Sequence, residues 1–235
     1  MIKKVIKKLI KIIPWAYINV VRLLNLTELY QPTYNPKKHI ILKSDTKKKN
    51  SDDRIFAIQN SVNFSNIDTY LDIGSQLGYF VFKLSESNKL ILAQGFEMND
   101  VSSAYSNALV YLNDLENISF INCKVTPNFV KKMPNYDMIS FLNVFHHVVY
   151  FDGFETADEM MHELYNKTNS YFIFETGQFD EKGYYWSDSL SFMGNNPVTW
   201  IQGYLIGIGY SKVTLIDEFP THLSDKSRAF FICSK

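Results

Sequence analysis

The chain has 235 residues, of which 46% are hydrophobic and 15% aromatic, and its formal net charge is zero. It is long enough to bury one sizeable core and to carry an extension. The charge is unevenly divided: residues 1–50 hold twelve Lys and Arg against two acids, so residues 51–235 carry the compensating negative charge. An acidic body argues against a general nucleic-acid-binding protein.

Cysteine use indicates the compartment. Cys123 and Cys233 both lie in predicted strands, so we expect two reduced, buried thiols in a cytoplasmic protein. Neither cysteine has a histidine at a spacing typical of zinc ligands, and we expect no metal site.

The first thirteen residues predict a basic amphipathic helix. At 100° per residue, seven apolar side chains fall on one arc and five lysines on the opposite arc. The apolar residues are Ile2, Val5, Ile6, Leu9, Ile10, Ile12 and Ile13, and the lysines are Lys3, Lys4, Lys7, Lys8 and Lys11. Lysines interrupt every apolar run, so the segment is neither a signal peptide nor a membrane span.

Three interpretations of this helix remain open. It can lie on an anionic bilayer through residues 1–30, with Trp15 and Tyr17 at the headgroup level. It can dock on the catalytic domain or on a partner helix, or contact RNA. Residues 31–51 are interpreted as a connector, so we predict a helix and connector over 1–51 and one domain over 52–235, which a helix over Asp52–Asn60 enters.

The most informative segment is the run from Tyr70 to Phe80. Apolar residues break into Asp72-Ile73-Gly74-Ser75-Gln76-Leu77-Gly78, which predicts a strand, a glycine turn and a helix. A dinucleotide fingerprint requires a glycine at Gln76 and a third glycine after Gly78. The pattern therefore favours S-adenosylmethionine (SAM), which has no phosphate, and Asp72, Gly74, Ser75 and Gly78 are predicted contacts.

The elements that follow alternate between strands and helices. A second strand ends at Glu97, whose carboxylate can accept hydrogen bonds from both ribose hydroxyls. The remaining predicted strands are 118–123, 136–147, 171–175, 212–216 and 228–233, and the predicted helices are 101–115, 154–165 and 197–208. This order predicts one doubly wound α/β domain with a seven-stranded, mostly parallel sheet that closes with an antiparallel pair.

Candidate catalytic residues follow the fourth and fifth predicted strands. His146 and His147 are expected where the fourth strand ends, with at least one imidazole facing the ligand, and Glu175 ends the fifth strand at the same rim. A hydroxyl acceptor requires a general base, for which histidine is the first candidate, whereas an anionic acceptor requires cations instead.

Two further segments are candidates for holding the acceptor. The aromatic loop 176–196 is interpreted as an acceptor-binding lid that carries Tyr184, Tyr185 and Trp186. In the connection between the last two strands, His222 and Arg228 can clamp an anion, although a hairpin with solvent-exposed charges explains them equally well.

Taken together, these motifs resemble the methyltransferase domain of the bacterial O-antigen chain-terminating kinase–methyltransferases, over residues 52–235. The resemblance rests on the glycine turn, on Asn143-Val144-Phe145-His146-His147, on Phe174-Glu175, on Tyr184-Tyr185-Trp186 and on Thr221-His222-Leu223-Ser224 with Arg228.

The resemblance implies a Rossmann-like class I methyltransferase that uses SAM in surface-polysaccharide synthesis, at the inner face of the membrane. It implies that Asp72, Gly74, Gly78 and Glu97 hold SAM, with Asn143 nearby. His146, His147, His222 and Arg228 would surround the acceptor, a glycan or glycan-linked phosphate. The sequence contains no kinase domain and no coiled-coil tail, and Asn122 to Val125 lacks the acid that many relatives place near the adenine.

Two alternatives remain from the residues themselves. The acceptor can be a small metabolite, a lipid or a tRNA, because the SAM motifs do not encode it. The chain can also be a non-catalytic scaffold, although the intact acids Asp72 and Glu97 argue against a degenerate site.

Overall fold

A computed structural model of the chain describes residues 10–28, 31–41, 50–221 and 226–235. Its strands are β1 (Thr69–Ile73), β2 (Leu92–Glu97), β3 (Ile118–Asn122), β4 (Tyr136–Leu142), β5 (Thr168–Glu175), β6 (Lys212–Pro220) and β7 (Ser227–Ser234). The α-helices are α1 (Ile12–Leu23), α2 (Ser51–Ser61), α3 (Tyr79–Asn88), α4 (Asp100–Asn113), α5 (Pro127–Lys132), α6 (Phe145–Asp152), α7 (Phe154–Lys167) and α8 (Pro197–Ile208).

The seven strands form one sheet in the order β3-β2-β1-β4-β5-β7-β6. The first five strands pair in parallel, and β7 pairs antiparallel with both β5 and β6. The predicted seven-stranded, mostly parallel fold with a closing antiparallel pair is confirmed. The strand order reverses beside β1, so β2 and β4 flank it and leave a crevice at their carboxyl ends.

Hydrophobic cores lie on both faces of the sheet. Successive β5 side chains alternate between them: Phe172 and Phe174 belong to the cluster that contains residues of α7 and α8, whereas Ile173 belongs to the cluster on the other face, which contains residues of α3 and α4. Near-continuous apolar runs are expected in such strands because helices cover both faces of a parallel sheet.

The predicted fourth strand was wrong at its carboxyl end. β4 stops at Leu142, Asn143 adopts a left-handed conformation with φ +61°, and α6 begins at Phe145. His146 and His147 therefore lie in the first turn of a helix. Apolar residues continue through this junction, so the hydrophobic pattern conceals the change from strand to helix.

Helix α1 packs on α4 through one face only. Ile18 and Val21 are fully buried there, and Tyr17 donates a hydrogen bond to the Val101 carbonyl. At the start of α1, Lys11 forms an ion pair of 2.6 Å with Asp114, the residue that follows α4. Most of the predicted amphipathic helix, residues 1–9, lies outside the described part of the chain.

A second face of α1 is apolar and exposed. Ile13 is 76% exposed and Leu23 is 64% exposed, in contrast to Ile18 and Val21. The other exposed apolar residues of this face are Ile12, Val20 and Leu24. Among the helices in the described ranges, none is both long and apolar enough to cross a bilayer.

Candidate cofactor and acceptor site

The glycine turn joins β1 to α3 and is held against β2. The backbone N–H groups of Gly74 and Ser75 both donate to the Phe96 carbonyl, at 2.8 and 3.1 Å. Gly74 has φ +78°, and a Cβ there would lie 2.4 Å from a methyl group of Val144. Gly74 is therefore required by both the backbone conformation and the packing against the end of β4.

Asp72 is buried at the end of β1. The Ser140 hydroxyl donates to its carboxylate at 2.6 Å, and Tyr70 donates in turn to Ser140 at 2.7 Å. Burial raises the pKa of Asp72 to about 7, with the nearby Glu97 carboxylate adding to the rise and the Ser140 hydrogen bond opposing it. Asp72 is thus an acceptor that a cationic group would stabilise in its ionised form.

Glu97 is held at the end of β2 by two backbone donors. The N–H groups of Gln76 and Asn99 donate to its two oxygens, at 2.8 and 2.7 Å. Each carboxylate oxygen has a second lone pair, so these bonds orient the carboxylate and leave it able to accept further hydrogen bonds.

A narrow cavity opens beside the turn, between the carboxyl ends of β1 and β4. It is lined by Gln31, Ser51, Arg54, Asp72, Gly74, Phe80, Leu142 and Asn143. The Gln31 side-chain oxygen is buried here and has no hydrogen-bond partner among the described residues. A buried polar atom of this kind is costly unless a ligand or water satisfies it, so the cavity, of about 20 Å³, suits a water or one polar group of a ligand.

Asn143 links two buried ion pairs beneath the cavity. Arg54 binds Glu175 bidentately, at 2.6 and 3.0 Å, and Arg228 binds Glu181 bidentately, at 2.8 and 2.9 Å. The Asn143 amide donates to Glu175 at 2.7 Å, and its oxygen accepts from Arg228 at 2.5 Å. We call these five residues the Asn143 network.

The network changes two predicted roles. Glu175 is fully buried and both of its oxygens accept from Arg54, so it is neither a strand-end acid in solvent nor an available base. The Arg228 guanidinium is 1% exposed and pairs with Glu181, so it does not form an open clamp for an anion. His222 lies outside the described residues.

The two histidines occupy different environments. His146 is 1% exposed, and the Gly177 backbone N–H donates to its Nδ1 at 3.0 Å. Nδ1 therefore accepts, and the neutral ring carries its proton on Nε2. This arrangement makes His146 a packed positioning residue, because Thr176 and the ring of Trp186 also contact it.

His147 is the histidine at the surface. Its Nδ1 forms a hydrogen bond of 2.9 Å with the hydroxyl of Tyr185, which is 56% exposed. Tyr185 in turn packs edge-to-face on Tyr150, at 4.9 Å between ring centroids. Burial raises the pKa of Tyr185, and electrostatic interactions with Tyr150 and Glu28 add to the rise.

The predicted aromatic lid is only partly exposed. Trp186 is 1% exposed, stacks on Tyr184 and contacts the His146 ring at a tilt, so the prediction that Trp186 contacts the acceptor was wrong. Tyr184 belongs to the same packed group. Gly177 allows this packing, because a Cβ there would lie 2.7 Å from the Trp186 ring. The exposed member is Tyr185, which the sequence analysis placed in the acceptor-binding lid with Tyr184 and Trp186.

Sequence reasoning missed three residues of the site. Gln31 and Arg54 come from the front segment and α2, and Glu181 comes from the loop after β5. No local pattern marks Gln31. Arg54 and Glu181 look like ordinary charged residues in the sequence. Their buried partners, Glu175 and Arg228, are distant in the sequence and are revealed only by the structure.

Comparison with solved structures defines the fold as that of the class I methyltransferases. The bifunctional kinase-methyltransferase WbdD superimposes with a TM-score of 0.69 and 19% identity, over 92% of this chain and 46% of the WbdD chain. The chain thus spans just under half the length of WbdD. No protein-family model and no curated protein sequence matches it.

Two further methyltransferases share the fold. The magnesium protoporphyrin IX methyltransferase ChlM of Synechocystis PCC 6803, solved with bound SAH, has a TM-score of 0.60 and 13% identity, over 96% of this chain and 99% of that chain. An O-methyltransferase family protein of Burkholderia thailandensis has a TM-score of 0.56 and 15% identity, over 79% of this chain and 56% of that chain. At these identities the likeness establishes the fold, as the motifs predicted.

We predict that Arg228→Ala destabilises the protein by about 3–5 kcal/mol, because it leaves the Glu181 carboxylate buried without its partner. Chemical denaturation measures the free energy of unfolding. Lys226→Ala, two residues away in an exposed ion pair with Asp180, is the matched control and should cost less than about 1 kcal/mol. Equal effects of the two changes would contradict the buried network.

We predict that Asp72→Asn stabilises the protein more at pH 8 than at pH 5. The folded pKa of Asp72 is raised from 3.8 to about 7, so the wild type loses stability as pH rises between these values. The increase in the free energy of unfolding caused by Asp72→Asn should therefore be on the order of 2 kcal/mol larger at pH 8 than at pH 5.

Asp137→Asn is the control, because the pKa of Asp137 is shifted in the opposite direction from that of Asp72. Partial burial raises the pKa of Asp137, but hydrogen bonds from Asn169, Thr69 and the Asp68 backbone outweigh it and lower that pKa. The Asp137→Asn variant should therefore lose the same stability at pH 5 and pH 8. An Asp72→Asn variant that behaves in this way would contradict the environment assigned to Asp72.

Proposed function

We propose that this protein is a SAM-dependent methyltransferase that methylates a hydroxyl oxygen of a glycan or glycan-linked acceptor. The observation that carries the proposal is the placement of two acids, Asp72 and Glu97, at the ends of neighbouring parallel strands on either side of a glycine turn. In an open α/β sheet, this crevice is where nucleotide-like ligands bind. The fold shared with methyltransferases supports SAM as that ligand.

The described residues fit SAM better than a dinucleotide. Glu97 is oriented to accept hydrogen bonds from the ribose hydroxyls, and Asp72 with the Gln31 oxygen offers acceptors to a cation. Gln76 occupies the position at which a dinucleotide fold needs a glycine beside the pyrophosphate. Bound SAM would supply a methyl group already activated on a sulfonium, so the chain itself must align the acceptor, exclude water and receive a proton.

The acceptor side of the site favours a hydroxyl. The two arginines of the Asn143 network are each neutralised by a buried carboxylate, which makes them poor ligands for a phosphate. We infer that His147, oriented by Tyr185, is the base that takes the proton from a hydroxyl as the methyl group's new C–O bond forms and its C–S bond to the donor breaks. The exposed rings of Tyr150, Phe151 and Tyr185 lie beside it and offer surfaces on which sugar rings can stack.

The glycan class also rests on the motifs shared with the O-antigen kinase–methyltransferases and on the fold shared with WbdD. Small metabolites, lipids and tRNA are the competing acceptors, and an acceptor screen with labelled SAM decides among them. The proposal of a glycan acceptor, and with it a role in surface-polysaccharide synthesis, would fail if a non-glycan acceptor were methylated at a far higher kcat/KM than any glycan.

We further propose that the protein works at the inner face of a membrane through the exposed apolar face of α1. This face continues the basic amphipathic pattern of the preceding residues, in which five lysines lie within the first eleven positions. Apolar side chains combined with lysines favour binding to an anionic lipid surface. Glu28, shortly after α1, accepts a hydrogen bond from Gln76 in the glycine turn, so the end of α1 leads to the cofactor cavity.

We predict that SAM binds with micromolar affinity and that Asp72→Asn and Glu97→Gln each weaken binding about 10- to 100-fold, through loss of hydrogen bonds to charged groups. Calorimetric titration measures both effects. Asp100→Asn, at the start of α4 outside the cavity, is the control and should bind as the wild type does. A folded wild type that binds neither SAM nor SAH would overturn the proposed function in favour of the scaffold.

We predict that His147→Gln lowers kcat about 100-fold or more, because the acceptor hydroxyl loses its base. Tyr185→Phe should have a smaller effect, since it removes only the group that orients the imidazole. Methyl transfer from labelled SAM gives kcat and KM, and His162→Gln, on the exposed side of α7, is the control. An unchanged kcat in His147→Gln would show that the reaction needs no base at this position.

We predict that replacing both Leu23 and Leu24 by Glu lowers binding to anionic vesicles at least tenfold while SAM affinity stays constant. Vesicle co-sedimentation provides the measurement. Ile206→Glu, at an equally exposed apolar position on α8, should not change the binding. Equal binding by the double variant and the wild type would contradict the membrane proposal, and binding of RNA instead would redirect it.

A further inference from the structure

We propose that Gln31 is a SAM-binding residue that recognises the amino-acid end of the cofactor, so that the segment after α1 forms one wall of the cofactor site. This inference rests on the proposed function and names a contact that lies outside the sheet domain. The first observation is the position of Gln31, which lines the same cavity as Asp72 and Gly74 although it is more than forty residues away in sequence.

The second observation is the unsatisfied side-chain oxygen of Gln31. The residue is 8% exposed, and this oxygen is buried without a hydrogen-bond partner in the described ranges. Leaving a buried acceptor unpaired costs stability, so such an atom in a cavity indicates a donor that arrives with a ligand. Asp72, a buried carboxylate that lines the same cavity, is a second acceptor, and a cationic donor would satisfy both.

The topology identifies which end of SAM this is. Glu97 ends β2, on one side of β1, and is the acid placed to bind the ribose. The cavity lies on the other side of β1, towards Leu142 and Asn143 at the end of β4. A ligand whose ribose lies at Glu97 therefore extends its amino-acid part over Gly74 into this cavity. The α-ammonium group is its cationic donor, and the Gln31 and Asp72 oxygens are the acceptors.

The front segment is fixed well enough to present Gln31. Arg22 donates to the Thr33 hydroxyl at 2.7 Å, and the hydroxyl groups of Thr27 and Ser102 form a hydrogen bond of 2.6 Å. The Glu28 carbonyl accepts from the Gln76 side chain. These contacts hold the segment on both sides of Gln31, against α1, α4 and the glycine turn.

The test compares two ligands that differ only in the amino-acid end. SAH carries the α-ammonium and α-carboxylate groups, whereas 5′-methylthioadenosine lacks both and keeps the adenosine. Calorimetry gives the affinity of each ligand for the wild type, for Gln31→Met and for Gln178→Met. Methionine keeps the volume of glutamine without its amide. Gln178 is a matched control because it is also buried with an unpaired side-chain oxygen and lies outside the cavity.

We expect Gln31→Met to weaken SAH binding 10- to 100-fold and to change 5′-methylthioadenosine binding less than twofold, with Gln178→Met affecting neither ligand. If Gln31→Met weakened the binding of both ligands equally, or changed neither, the inference about Gln31 would be overturned. The proposal that the protein binds SAM would still stand. If the folded wild type bound neither ligand, the proposed function itself would have failed. The thermal midpoint of each variant shows whether it is folded.

Discussion

The site depends on one buried arrangement of charge, the Asn143 network. Two bidentate Arg–carboxylate pairs lie under the cavity with no exposure to solvent, and a single amide joins them. Burying four charges is tolerable only when each is paired and its hydrogen bonds are satisfied. The network therefore fixes α2, the end of β4, the end of β5, the loop after it and β7 relative to one another.

This constraint explains why several predicted functional residues have structural roles. Asn143 needs its unusual φ because its amide must reach Glu175 and Arg228 from the end of β4. Once the backbone turns there, α6 starts immediately and divides the two histidines between the core and the surface. The proposed function then assigns the acceptor side to His147 and Tyr185, and the cofactor side to Asp72, Glu97 and Gln31.

The fold could be predicted because its signals are local. The glycine turn, the acid that ends β2 and the alternation of strands and helices each depend on residues adjacent in sequence, and the structure confirms the resulting sheet. The site was less predictable because its contacts join distant residues. Arg54 binds Glu175 across 121 positions, and Gln31 lines the same cavity as Asp72 although about forty positions separate them, so residue type alone does not encode such arrangements.

The aromatic loop after β5 shows a second limit of prediction from sequence, because a residue that looks functional can prove to be part of the core. A run of aromatic residues after β5 indicates either a ligand surface or a packed cluster, and composition does not separate the two. The structure assigns Trp186 to the core, over a glycine that leaves room for it, and exposes Tyr185 alone among the three consecutive aromatic residues. Burial of each ring, rather than its type, decides which one can meet an acceptor.

The central claim is that the crevice between β2 and β4 holds SAM in one orientation. A crystal structure of the protein with SAH tests it most directly. The account predicts ribose hydroxyls on Glu97 and the amino-acid end between Asp72 and Gln31. Density for SAH in the reverse orientation, or outside this crevice, would contradict it.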